Sequence, residues 1–126
     1  MPFVSYAQNL EDVRLWRALK LFPRGFYIDV GANHPRIDSV TLAFYERGWR
    51  GINIEPLPHL HRELERERPE DLNLNLAIGE REGRATLYEM AASGLSTLDP
   101  ELARQRQAEG CTATPREVMV STLDAI

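Results

Sequence analysis

The chain has 126 residues, and its 15 Lys and Arg against 19 Asp and Glu give a formal net charge of −4 at pH 7. With 43% hydrophobic residues, it can bury enough apolar surface to offset the entropy of ordering, which excludes a wholly disordered chain. The acidic balance disfavours nucleic acid, and the longest uncharged stretch, residues 1–10, neither spans a bilayer nor starts like a signal peptide, so we expect no nucleic acid, no membrane and a cytoplasmic protein.

The first half of the chain alternates between helical and strand periods. Asn9 and the acidic residues after it predict a capped helix start, and apolar residues then recur at helical spacing until the breakers at 23–25. Phe26–Val30 changes to a period of two, with its apolar side chains on one side, and ends at Gly31. This pattern predicts a strand.

The same alternation continues through the middle of the chain. A helical pattern over 39–47 is stopped by Gly48, and 51–55 predicts a second strand. A helix over 58–68 lies between two prolines, and the clean apolar and polar alternation over 72–78 predicts a third strand.

The last third is less regular. Turn chemistry precedes an extended piece at 84–90, which we expect to return as a hairpin. Pro100–Ala108 predicts one short helix, 118–120 a late strand, and 122–126 the first turn of a helix.

Strand, helix and strand in short succession argue for a parallel sheet with helices on its faces, because parallel neighbours need crossover connections. With right-handed crossovers this is an α/β, Rossmann-like, mainly parallel sheet with flanking helices, and we expect residues 1–126 to form a single domain. Ligands of such sheets bind beyond the carboxyl ends of the strands. We therefore expect Asp29 and Glu55 at one edge of the sheet.

The spacing of a glycine and a carboxylate suggests a nucleoside site. Gly31 and Glu55 are 24 positions apart, which leaves one helix and one strand between a cofactor turn and a carboxylate for two ribose hydroxyls. The loop 31–35 has one glycine, whereas the dinucleotide fingerprint needs three to press amides on a pyrophosphate. S-adenosylmethionine fits better, because its cationic amino group and sulfonium suit carboxylates such as Asp29.

Five short motifs together resemble the FkbM-type methyltransferases. Each is weak alone, but they stand in family order and cover nearly the whole chain. They lie at 6–12 (YAQNLED), 26–33 (FYIDVGAN), 48–56 (GWRGINIEP), 77–79 (AIG) and 94–98 (GLSTL).

The resemblance implies part of the S-adenosylmethionine-dependent methyltransferase fold and methyl transfer to a hydroxyl of a small molecule, such as a sugar or a polyketide. It implies that the turn after the first strand lines the methionine end of the cofactor, that Glu55 holds the ribose, and that 75–78 lies beside the adenine. The implied cofactor residues are Gln8, Glu11, Asp29, Gly31, Ala32, Asn33, Glu55, Asn75, Ala77, Ile78 and Ser96.

Two departures from the family pattern have consequences. Members commonly have Ser and Gly where this chain has Ala7 and Leu10. They also continue beyond 122–124 into a further helix and strand, so the resemblance predicts an N-terminal portion of a methyltransferase. An unpaired sheet edge and an apolar helix face favour pairing with a second copy, so we expect self-association as a homodimer.

Several residues have two interpretations. His34 is a candidate general base, and equally a loop residue. His59 and His61 suggest a metal pair, but positions two apart on a helix face different directions, so we expect a solvated helix and no metal. Cys111 is the only cysteine, which excludes an intrachain disulfide.

The charged run 62–68 (RELERER) mixes both signs, so we expect it to form the exposed face of a helix. Trp16 and Trp49 stand in apolar patterns and are expected in the core.

The residues are compatible with three hypotheses of function. The first is a methyltransferase in which a hydroxyl of the acceptor attacks the methyl group. The second is a module that binds the cofactor or a partner without turnover. The third is a dinucleotide-dependent oxidoreductase, which the single-glycine loop argues against.

Overall fold

The computed structural model describes residues 3–91 and 96–126. The chain divides into two compact units, Met1–Asn75 and Leu76–Ile126, called here the first and the second unit. Each is described by itself, and the single domain expected over 1–126 stays a prediction.

The first unit alternates helices and parallel strands. Its strands form a three-stranded sheet in the order β1-β2-β3, with both neighbouring pairs parallel. This confirms the mixed α/β class and a parallel sheet with helices, as in part of a methyltransferase-like fold. The elements are α1 Glu11–Leu19, β1 Phe26–Val30, α2 Leu42–Glu46, β2 Arg50–Ile54, α3 Pro58–Glu67 and β3 Leu72–Leu74.

The two sides of β1 have opposite chemistry. Phe26, Ile28 and Val30 share one side and are 64%, 49% and 50% exposed. Tyr27 and Asp29 share the other side and are half-buried. On β1 the more buried side is therefore polar, and the apolar side meets solvent.

The buried polar layer continues on β2 and beyond it. Asn53, which pairs with Asp29 in the parallel register, is fully buried. Its side-chain amide donates to Asp71 Oδ2 and to Asn73 Oδ1, both at 2.9 Å. Gly51 pairs with Tyr27 in the same register, and the position requires glycine because a Cβ there would stand 2.1 Å from the carbonyl oxygen of Tyr27.

An aromatic cluster joins α1 to α2. Phe3 stacks on Trp16 with ring centroids 5.4 Å apart, and Trp16 meets the edge of Phe44 at 6.0 Å. Phe44 in turn contacts Trp49 at 5.0 Å. Trp49 is buried, which confirms the expectation for that residue, whereas Trp16 is only half-buried at the edge of this cluster.

The start of α1 differs from the prediction. The residue before the helix is Leu10 with φ +60°, and no side chain caps the helix there, so the expected capping by Asn9 was wrong. Asp12 organises this start instead, from inside the first turn. It is fully buried and accepts hydrogen bonds from Ser5 Oγ and from the backbone amide of Tyr6, which folds the preceding segment back onto the helix.

The second unit is built around one antiparallel pair. Its sheet has the order β4-β6-β5, with β5 and β6 antiparallel and β4 parallel to β6. The elements are β4 Ala77–Ile78, β5 Gly83–Met90, α4 Pro100–Ala108, β6 Ala113–Ser121 and a short 3-10 helix, Leu123–Ala125. The predicted bounds of α4 are confirmed.

Two strand predictions were wrong. The strand expected over 72–78 stops at Leu74, and Ala77–Ile78 belongs to the other sheet. The break falls at Asn75, whose side-chain amide donates to the carbonyls of Glu55 and Pro56 at 3.0 and 2.9 Å. The hairpin expected at 84–90 is instead a pairing of β5 with β6, across α4 in the chain.

In the described part of the chain, no helix is both long enough and apolar enough to cross a membrane.

Candidate functional site

Two carboxylates lie at the carboxyl ends of adjacent parallel strands. Asp29 is the fourth residue of β1, and Glu55 follows the last residue of β2. The pairing of Val30 with Ile54 places both at one edge of the sheet, as predicted. This is the edge where α/β sheets bind ligands.

The turn after β1 uses its own backbone amides internally. The amides of Gly31 and Ala32 donate to the carbonyl of Ile54 at 2.8 and 3.0 Å. The amide of Asn33 donates to Glu55 Oε1, and that of His34 to the Asn33 side chain, both at 2.8 Å. A phosphate cradle needs free, convergent amides, and these four are already bonded.

Gly31 is required by the backbone rather than by close packing. Its φ is +68°, in the left-handed region that glycine occupies without strain. No described atom lies within 4 Å of the position a Cβ would take. The space beside this turn is therefore open to a ligand.

Glu55 braces the turn. It is 4% exposed, and while Oε1 accepts the amide of Asn33, Oε2 accepts the amide of Leu57 at 2.9 Å. Burial raises the pKa of Glu55, and these two amides and His59 oppose that rise. Because each carboxylate oxygen has two lone pairs, one acceptor position remains on each.

Asp29 belongs to the polar layer beneath the sheet. Its Oδ2 accepts the hydroxyl of Thr41 at 2.7 Å. Burial raises the pKa of Asp29, whereas the Thr41 hydrogen bond and the positive charge of Arg68 lower it. The net effect leaves the pKa of Asp29 above its ordinary value.

His34 acts as an acceptor in its own loop. Its Nδ1 accepts the backbone amides of Arg36 at 3.0 Å and Ile37 at 2.9 Å. In a neutral ring with an occupied Nδ1 lone pair, the proton is on Nε2, so that nitrogen is a donor. This geometry favours the loop interpretation of His34 over that of a general base, which stays a prediction.

The implied cofactor residues fall into three groups. Asp29, Gly31, Ala32, Asn33, Glu55 and Asn75 come together around the ends of β1, β2 and β3. Gln8 is exposed beside α1, and Glu11 accepts the amide of Asn9 at 2.7 Å. Ala77, Ile78 and Ser96 belong to the second unit.

The second-unit residues have local partners. Ala77 and Ile78 pair with β6, and Ser96 Oγ accepts the amide of Met90 at 3.2 Å. Gly94 and Leu95, from the same motif as Ser96, lie outside the described residues.

The histidines of α3 have separate partners. His61 Nε2 lies 3.0 Å from the carbonyl oxygen of Asn73, and its Nδ1 lies 3.4 Å from Glu65. Within 3–91 and 96–126, no group of three His, Cys, Asp or Glu side chains could hold a metal ion. Cys111 is a free, half-buried thiol.

Comparison with known families decides the assignment. The model of the family described as "Methyltransferase FkbM domain" matches residues 29–126, from Asp29 at the end of β1 to the last residue. The chain belongs to the FkbM methyltransferase family. Neither the comparison with curated proteins nor that with solved structures found a match.

Membership identifies this FkbM domain as a methyltransferase in general terms, and the match includes both carboxylates of the strand edge. The match begins after the opening motif, so the cofactor-binding role of Gln8 and Glu11 rests on the resemblance alone.

Sequence reasoning missed one residue that organises this FkbM domain. Arg68 was expected on an exposed helix face and is 1% exposed, so the prediction was wrong for this member of the run. The guanidinium of Arg68 lies among the side chains of the buried polar layer, whose hydrogen bonds can compensate its charge. The periodicity carried a signal, since Leu57 and Leu64, which share its helix face by spacing, are both buried.

Proposed function

We propose that this FkbM domain binds S-adenosylmethionine at the carboxyl ends of β1 and β2 and directs its methyl group to a hydroxyl of a small-molecule acceptor, such as a sugar or a polyketide. The observation that carries the proposal is that this edge of the sheet offers carboxylates, whereas its turn amides are already hydrogen-bonded. The amides of 31–34 are consumed within the fold, while Asp29 and Glu55 offer negative charge. Such a site suits a cationic nucleoside without phosphate.

The donor and acceptor groups present fit that cofactor. Asp29 supplies a carboxylate for the α-amino group or the sulfonium, and Glu55 keeps two free lone pairs for two ribose hydroxyls. The open space beside Gly31 allows a ligand to reach the turn. When bound, S-adenosylmethionine supplies an electrophilic methyl group on a cationic sulfur.

The residues of this chain would contribute mainly positioning. A turn braced by Glu55 and an Asp29 carboxylate fixed by Thr41 hold binding groups in one geometry before the ligand arrives. Fixing cofactor and acceptor in line makes a bimolecular step effectively unimolecular. The proton of the acceptor hydroxyl has no assigned base on this chain.

The same contrast argues against a dinucleotide cofactor. A pyrophosphate needs amides at a helix N-terminus, but the turn after β1 spends its amides on Ile54, Glu55 and Asn33. Two carboxylates nearby would also repel it. The oxidoreductase hypothesis therefore lacks available backbone amides in this turn for the pyrophosphate.

Calorimetric titration of the chain with S-adenosylhomocysteine, the demethylated product, tests the proposal. We expect binding that Asp29→Ala weakens by about 10- to 150-fold, since a charged hydrogen bond contributes about 1.5–3 kcal/mol. Glu82→Ala, a change at an exposed carboxylate in the turn before β5, is the matched control and should bind like the wild type.

Three outcomes count against the proposal in different ways. No binding of S-adenosylhomocysteine, or tighter binding of NAD, overturns the cofactor assignment. Equal affinity of wild type and Asp29→Ala removes Asp29 from the site. Binding without methyl transfer to any hydroxyl in an acceptor panel supports the binding module without turnover.

A further inference from the structure

A guanidinium is buried beneath the candidate site. Arg68 follows the last residue of α3 and is 1% exposed. A charged group this deep is strongly disfavoured unless hydrogen bonds and opposite charge compensate it. The hydrogen-bond partners of Arg68 therefore show how its buried charge is compensated.

Those partners come from four parts of the first unit. Nη1 donates to Thr41 Oγ1 at 2.7 Å, to Asn53 Oδ1 at 3.4 Å and to Tyr27 OH at 3.5 Å. Nη2 donates to Ser39 Oγ at 2.7 Å and to the carbonyl of Pro35 at 3.1 Å. Asp71 supplies opposite charge at 3.9 Å.

The contact between Arg68 and Thr41 determines which way the hydroxyl proton of Thr41 points. An arginine has only donors, so the Thr41 hydroxyl must accept from Arg68. A hydroxyl has one proton, which the Thr41 hydroxyl then gives to Asp29 Oδ2 at 2.7 Å. Arg68, Thr41 and Asp29 form a relay with one allowed polarity.

The position of Thr41 in α2 supports this function. Thr41 stands at the N-cap, where a hydroxyl ordinarily accepts a backbone amide of the first turn. Here its side chain makes no cap hydrogen bond. Ser39 Oγ accepts the amide of Leu42 instead, at 3.1 Å, which leaves the Thr41 hydroxyl for the relay.

We propose that Arg68 is a positioning residue for the cofactor site, which orients the Asp29 carboxylate through Thr41 and fixes the loop 35–39 through Pro35 and Ser39. The part concerning ligand affinity rests on the proposed function, since it takes Asp29 as a cofactor-binding group. The part concerning Asp29 itself does not.

The relay has a readout without ligand, namely the titration of the Asp29 carboxyl followed by carbon NMR. Thr41→Val keeps the branched shape and removes the hydroxyl, whereas Thr41→Ser keeps the hydroxyl. The charged or titratable groups facing Asp29 are Arg68, Asp71 and Glu55. We expect Thr41→Val to raise the pKa of Asp29 and Thr41→Ser to leave it unchanged.

Arg68→Lys tests whether the effect passes through Thr41. We expect the variant to raise the pKa of Asp29 in the wild-type background, and to do so less in Thr41→Val, where the relay is already cut. Circular dichroism checks the fold, and if Arg68→Lys does not fold, the two Thr41 variants decide. An unchanged Asp29 titration in folded Thr41→Val overturns the proposal.

Affinity for S-adenosylhomocysteine separates the two proposals. We expect Thr41→Val to bind about tenfold more weakly, with binding lost at a higher pH on acidification, and Thr41→Ser to restore both. A wild type that does not bind overturns the proposed function, while the Asp29 titration still decides the relay. A wild type that binds no better than Thr41→Val overturns the role of the relay in binding.

Discussion

The side chain of Glu55, after one parallel strand, accepts the backbone amide of Asn33, in the turn after the neighbouring strand, at 2.8 Å. Its second oxygen accepts the amide of Leu57, directly before α3. One carboxylate therefore ties the turn after β1 to the entry of a helix. The group expected to meet the ribose also holds the fold around it.

Glu55→Ala is expected to affect stability and binding together. It leaves two backbone amides without their acceptor, and each buried unsatisfied group costs about 1–3 kcal/mol. The free energy of unfolding, measured in urea, should fall by about that amount or more, and affinity for S-adenosylhomocysteine by about 10- to 150-fold. Unfolding that matches the Glu82→Ala control would show that these amides do not depend on Glu55.

Asp29→Asn is expected to stabilise the chain at neutral pH while weakening binding. Burial raises the pKa of Asp29, so the folded state holds a proton at a pH where the unfolded chain has released it. The stability linked to this group is thus present below the unfolded pKa, about 3.9, and is lost as pH rises through the folded pKa.

Urea unfolding between pH 4 and pH 8 checks the sign. Asp29→Asn should show a higher midpoint than the wild type at pH 7, with the difference shrinking toward pH 4. Glu55, whose pKa is also raised, contributes the same sign in both proteins, and less in Asp29→Asn because the charge of Asp29 is one cause of its rise. A constant difference across this range would contradict the assignment.

Two glycines should respond differently to alanine. At Gly51 the new Cβ would meet the carbonyl oxygen of Tyr27 at 2.1 Å, and neither backbone can move within a paired strand. At Gly31 there is open space, and only the left-handed φ opposes a side chain, at about 1–2 kcal/mol. Urea unfolding should therefore show a much larger loss for Gly51→Ala, and equal losses would contradict the packing.

His34 variants separate a loop anchor from a base. Asparagine places an acceptor oxygen where Nδ1 now accepts Arg36 and Ile37, so His34→Asn should unfold within about 0.5 kcal/mol of the wild type. His34→Ala should lose about 1 kcal/mol or more. If both variants fold and both lose methyl transfer by about 10²- to 10⁴-fold, His34 is the general base after all.

Self-association through the apolar side of the first sheet remains a proposal. Ile28 pairs with Ile52, and Ile52 with Leu72, so they share one side of the sheet, where Leu72 is 55% exposed. We expect a dimer of two copies by light scattering at micromolar concentration, and a shift to monomer in Ile28→Glu. Arg62→Glu, an exposed change on α3, is the control. A monodisperse wild-type monomer would contradict the proposal.

The sequence predicted the elements that local chemistry determines. Phe26–Val30 and Pro100–Ala108 have the predicted bounds because alternation and a proline start are signals carried by neighbouring residues. The split after Leu74 was missed because the period of two runs on, whereas Asn75 bonds to carbonyls 20 and 19 positions earlier. A contact of that separation leaves no local pattern.

The candidate site was also predicted only in part. The strand edge that joins Asp29 and Glu55 follows from spacing and topology. The internal use of the turn amides and the burial of Arg68 do not, because both depend on partners distant in sequence. A run of mixed charge predicts a solvated helix face, and only the structure shows that the polar layer buries Arg68.

The opposite chemistry of the two sides of β1 also bears on how this unit responds to temperature. Exposing apolar surface raises the heat capacity on unfolding, and exposing polar surface lowers it. Here Phe26, Ile28 and Val30 already meet solvent, and Asn53, Arg68 and Asp71 are among the side chains that unfolding uncovers, together with apolar ones such as Phe44 and Ile54. The polar share of the newly exposed surface should lower the heat capacity change per residue relative to a sheet whose buried side is apolar, and so flatten the stability curve. The stability of this unit would then change less between cold and warm conditions than that of a sheet with an apolar buried side.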